Sequence, residues 1–123
     1  VPVIRIDLNF ELEVDQKRML QKQLSVFISE ILSKNITDIM VIVNYNHIFI
    51  NGSDDPSAFI EVLYLSNPEI HIKKQICSRI LESLRNIYII DSNRIYINFR
   101  MIEQQDGWRF IKDNAVCQIS KVH

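Results

Sequence analysis

Residues 94–100, RIYINFR, alternate two kinds of side chain. In an extended chain, residues two apart point to the same side. Ile95, Ile97 and Phe99 therefore share an apolar face, while Tyr96 and Asn98 share a polar one. Such a stretch predicts a strand with one face on a core. The same alternation stands at residues 3–9, VIRIDLN, where Ile4, Ile6 and Leu8 oppose Arg5, Asp7 and Asn9. Between these two lie Asp38–Tyr45, DIMVIVNY, and Ser57–Leu65, SAFIEVLYL. The first of these is almost continuously apolar and β-branched, which predicts a strand buried on both faces. His47–Ile50 predicts a short further strand, and AVCQIS in the tail is strand-like.

Two helical stripes fill the gaps. Met19, Leu20, Leu24, Phe27, Ile28, Ile31 and Leu32 recur at helical spacing, with Asp15 as the expected cap and an end near Ser33–Asn35. Ile70, Ile76, Cys77, Ile80, Leu81 and Leu84 form the second stripe, with Asn67 as the expected N-cap and Pro68 at the first helical position. Lys73, Lys74, Glu69 and Glu82 mark its expected solvated side. Asn51-Gly52-Ser53-Asp54-Asp55-Pro56 is a turn cluster between the halves. The order is βαβ followed by βαβ: a first half over 1–50, a second over 56–100, and a tail over 101–123. It predicts an α+β domain, one four-stranded mixed sheet with two helices on one face.

Composition narrows the function classes. The 123 residues suit one domain, and 47% hydrophobic content suffices for a core. A net charge of −1 without a basic run argues against nucleic acid and anionic membranes. No apolar run approaches the roughly 18 residues of a membrane span. VPVIRIDLNF is charged at Arg5 and Asp7 and reads as no signal peptide, which favours the cytoplasm, with export lacking a signal peptide as the other route. Cys77 and Cys117 are too few and too isolated for a disulfide framework. His47, His71 and His123 have no metal-ligand spacing, so no metal is expected.

The order alone also fits ferredoxin-like and RNA-binding domains. The local sequences are more specific. Pro2 opens the first strand, Gly52-Ser53-Asp54-Asp55-Pro56-Ser57-Ala58-Phe59 follows the second, and Arg94-Ile95-Tyr96-Ile97-Asn98-Phe99 forms the last, with Gly107-Trp108 beyond. Together, over about residues 2–110, they resemble the macrophage migration inhibitory factor family, which includes D-dopachrome tautomerase. The resemblance implies a homotrimeric ring with pockets between subunits. It implies a cofactor-independent keto–enol tautomerase, an isomerase acting on small aromatic α-keto acids such as phenylpyruvate. It also implies the alternative of a cytokine-like ligand for a receptor protein.

The resemblance assigns roles to particular residues. Pro2 aligns with the catalytic proline, whose free secondary amine acts as the base. Read without the family, Pro2 simply starts a strand, where its missing N–H matters little. Lys34 aligns with a lysine that binds the substrate carboxylate; read locally, it is a cation favoured at a helix C-terminus by about 0.3–1 kcal/mol. Tyr96 and Asn98 align with residues reaching the neighbouring subunit's pocket, and Leu65 with one whose backbone amide meets substrate. Trp108 and Phe110 would wall the pocket, or pack the tail. Several positions depart from the family pattern. Tyr64 fills a serine slot, Ser66 a glycine slot, and Asp106 a wall position that is often apolar. Ser57 and Ile60 replace a Cys-x-x-Cys, so no thiol–disulfide activity is expected. Val1 precedes Pro2 and acylates its nitrogen, which removes the basicity. Weak or absent tautomerase activity is therefore expected with Val1 in place, and activity once Pro2 is terminal.

Overall fold

The computed structural model describes residues 2–64 and 67–102. β1 (Val3–Leu8) leads into α1 (Val14–Leu32) and β2 (Met40–Tyr45). β3 (Ala58–Tyr64), α2 (Ile70–Arg85) and β4 (Ile95–Met101) repeat that order. β1 pairs with β2 in parallel and β3 pairs with β4 in parallel. The halves meet where β1 runs antiparallel to β3, giving a four-stranded sheet of order β2-β1-β3-β4.

The alternation in the strands decides which face the helices cover. Ile4, Ile6 and Leu8 of β1 and Ala58, Ile60, Val62 and Tyr64 of β3 are buried in one cluster with Leu20, Leu24 and Ile28 of α1 and Ile76, Ile80 and Leu84 of α2. Fully burying one such aliphatic side chain stabilises the fold by about 1.5–3 kcal/mol. Arg79 lies 4.5 Å over the Phe27 ring and clasps α2 to α1. On the helix-free face, Arg5 pairs with Asp7 at 3.2 Å and with Glu61 at 3.5 Å.

Several local expectations are corrected. β2 begins at Met40, because Ile36–Asp38 forms a 3₁₀ turn capped by the Asn35 side chain. It is only half-buried within the chain, since the sheet order puts it at an edge. His47–Ile50 forms no strand. Ile50 bridges Ser53 around a turn whose Asn51 and Gly52 have φ of 53° and 72°. Both values lie in the left-handed region that Gly and Asn tolerate best. Glu13, not Asp15, caps α1, in a reciprocal box with Gln16. Glu69 occupies the N-cap position of α2 without a side-chain capping bond, and Asn67 and Pro68 lie before it. Met19 and Ile70 fall off the apolar stripes and are exposed, and Cys77 is only half-buried. α1 ends as expected, at Ser33 in the left-handed conformation with φ 53°.

Candidate functional site

The two ends of the sheet are built differently. At the end where β1 and β2 finish, side chains tie the loops down. Asn9 donates through Nδ2 to the Asp54 and Asp55 carbonyls at 3.0 and 2.9 Å, and its Oδ1 accepts from the Ser57 amide at 2.7 Å. Arg94 reaches the same loop from the start of β4. Its Nη1 donates to the Ile50 carbonyl at 3.0 Å, and its Nη2 to the Asp55 carbonyl and Ser57 Oγ, each at 2.8 Å. A guanidinium carries five fixed donors, which is why one side chain can collect this many acceptors.

Pro2 stands at the opposite end, buried, with its carbonyl accepting from the Met40 amide at 3.0 Å. Continuing the β1–β3 register one position past the Val3–Leu63 pair places Tyr64 beside it. Proline suits this place, because a strand's first residue loses little by having no N–H. Lys34 lies just past α1 and is exposed. Its backbone is fixed: its N–H donates to the Ser29 carbonyl at 3.0 Å, and its carbonyl accepts from Ser29 Oγ at 2.6 Å.

Tyr96 and Asn98 are exposed on β4 and face away from the helices. The register sets Tyr96 opposite Phe59, which pairs with Asp7. Asp7 is five residues along β1 from Pro2, so Tyr96 lies about 17 Å along the strands and about 10 Å across them from Pro2. The chain therefore brings Pro2 and Tyr64 together, but it does not bring Tyr96 or Asn98 to Pro2. Leu65, Trp108 and Phe110, with Ser66 and Asp106, lie outside the described residues, as do Cys117, His123 and the strand-like AVCQIS.

This topology, a pair of βαβ units joined by the antiparallel β1–β3 contact, recurs in solved structures. A macrophage migration inhibitory factor-like protein from Entamoeba histolytica superposes with a TM-score of 0.81 at 20% identity, over 89% of this chain and 95% of that one. The macrophage migration inhibitory factor of Trichinella spiralis gives 0.74 at 23% identity, over 86% and 95%. The chain has the macrophage migration inhibitory factor fold. A malonate semialdehyde decarboxylase inhibited by 3-bromopropiolate shares this fold, with a TM-score of 0.68 at 21% identity over 89% of each chain. No family model and no curated protein sequence matches the chain.

Within the migration inhibitory factor fold, one group near Pro2 escapes a sequence reading. Lys73 Nζ lies 5.7 Å from the ring centres of both Tyr64 and Phe99. Lys73 is half-buried on the sheet side of α2, which corrects its assignment to the solvated side. A charge in an amphipathic helix normally marks the outer face, and only the aromatic pair across the sheet explains the exception. Among the described residues no helix is long and apolar enough to cross a membrane.

Proposed function

We propose that this protein is a phenylpyruvate-type keto–enol tautomerase that works as a homotrimer, with Pro2 as base when Pro2 is the N-terminal residue. The observation that carries this proposal is the position of Pro2: buried, at the start of β1, between Met40 and Tyr64, in a chain with the migration inhibitory factor fold. A free α-amine titrates near about pH 8, and burial disfavours the cation and lowers that value. Such an amine takes a proton from the carbon beside the ketone, breaking that C–H bond, and returns it to the carbonyl oxygen as the enol O–H; the reverse conversion runs through the same two transfers. Lys34 receives the carboxylate, and the Leu65 amide, Trp108 and Phe110 complete the wall.

Tyr96 and Asn98 serve this chemistry from another copy. Their separation from Pro2 in one chain supports the trimer, because only a neighbouring subunit brings them to a Pro2 pocket. The work of each part is testable. The chain beginning at Pro2 is expected to turn over phenylpyruvate, and its Pro2→Gly variant is expected to lose most of that rate. Mixed trimers of Pro2→Gly and Asn98→Ala chains regain activity if the pocket is shared. Equal rates for Pro2→Gly and the parent sink the proposal.

One observation favours a second function. While Val1 is attached, the Pro2 nitrogen is an amide, and the site is chemically silent at that atom. A chain kept in that form is a binding protein of the cytokine-like kind, recognised by a receptor through its folded surface. Turnover of phenylpyruvate by the protein isolated untagged from its source excludes this alternative.

A further inference from the structure

Cations gather at the Pro2 end of the sheet from two helices. Lys34 follows the last turn of α1, and Lys73 sits in the first turn of α2. The second placement is unfavourable on its own, because a helix N-terminus already carries positive partial charge. Among the described residues no carboxylate pairs with Lys73. The nearest in sequence, Glu69, lies 3.2 Å from His71 Nδ1 instead. Two ring faces hold the ammonium in place. Tyr64 is only 5% exposed, and its ring is tilted against Phe99 at 6.5 Å. Tyr64 also neighbours Pro2 along the β1–β3 register, on the same face of the sheet. The result is a cation at the Pro2 end of the sheet, lying over two aromatic rings and paired with no anion of the described residues. One carboxylate on a ligand can use Lys34 alone. A second cation at the same end of the sheet is of use to a ligand with a second negative group.

We propose that Lys73 receives a second anionic group of the ligand, so that the Pro2 site takes an aromatic 2-oxo acid carrying a distal carboxylate. This inference rests on the tautomerase reading for the 2-oxo group, while the recognition of two anions stands on the cations themselves. The probes are therefore inert: 4-carboxyphenylacetate and phenylacetate, titrated calorimetrically into the chain that begins at Pro2. The dicarboxylate is expected to bind about tenfold tighter than the monocarboxylate, as one added charge-assisted contact gives. Lys73→Met keeps the apolar stem and is expected to abolish that preference without weakening phenylacetate. Lys73→Arg keeps the charge and is expected to retain it, which separates recognition from a folding defect. Equal affinities in the parent, a preference that survives in Lys73→Met, or no binding of either probe overturns the inference. Turnover of 4-carboxyphenylpyruvate and phenylpyruvate is measured alongside. If the dianion preference holds while neither compound is turned over, the tautomerase proposal fails and the recognition of two anions stands.

Discussion

One end of the sheet is fastened and the other is left chemically available. At the fastened end, Asn9 and Arg94 spend their polar groups on backbone carbonyls of residues 50–56. At the other end, Lys34 and Lys73 pair with no carboxylate among the described residues, and Pro2 is buried without an N–H to satisfy. The difference teaches where stability and the proposed chemistry divide. Groups that hold a loop shut have no capacity left for a ligand, while the ammonium groups of Lys34 and Lys73 have no carboxylate partner among the described residues.

The largest way to break this division is at Arg94. Arg94→Leu strands several loop carbonyls and is expected to cost about 3 kcal/mol in urea denaturation. A loss below about 1 kcal/mol would mean that the knot is not what closes this end.

Lys34 tests the opposite end. Lys34→Ala, an exposed change, is expected to shift stability by no more than about 0.5 kcal/mol. In the chain that begins at Pro2, it is expected to lower phenylpyruvate kcat/KM about 30-fold, the worth of one charge-assisted contact. A large stability loss with unchanged turnover would reverse the division.

Smaller still is Ser33, beside Lys34. It holds φ 53° without being glycine, so Ser33→Gly is expected to raise stability by about 0.5–1 kcal/mol. Lower stability in the same denaturation series would show that the Ser33 side chain matters more than its backbone strain.

The smallest effect concerns Cys77 on α2. Burial pushes its thiol above the ordinary value of 9.0, because desolvation penalises the thiolate. The folded state therefore favours the protonated thiol. Its contribution is complete below the unfolded-state value and is lost as pH rises through the higher folded value. Denaturation of the parent and of Cys77→Ala between pH 8 and 10, both with Cys117→Ser, is expected to show a steeper decline for the parent. Parallel pH profiles would contradict this.

Much of the fold was legible in the sequence, and the part that was not has physical reasons. Alternation in VIRIDLN and RIYINFR announced β1 and β4, because a period of two reports a half-buried strand directly. The stripe around Leu24 and Ile28 announced α1 in the same way. The edge position of β2 was hidden, since DIMVIVNY reads alike at a sheet's centre and at its rim, and strand order is set by pairings distant in sequence. The N-cap positions of Glu13 and Glu69 were missed because glutamate is a weak capping signal beside Asp15 and Asn67. Pro2 and Lys34 were singled out by resemblance, and their roles stand as proposals. Lys73 was not, because its two aromatic partners come from two strands, β3 and β4, outside its own helix. Arg94 was read as part of a motif, and its hydrogen bonds to a distant loop have no local signature.

The most direct measurement compares two chains of verified intact mass, one beginning at Pro2 and one retaining Val1, in the enol-to-keto conversion of phenylpyruvate. Adding Val1 converts the Pro2 amine to an amide and moves the free amine by about 3.8 Å. Since a misplacement of about 1 Å already costs about a hundredfold, the chain retaining Val1 is expected to be at least about a hundredfold slower. Equal rates for the two chains would contradict the assignment of Pro2 as the base.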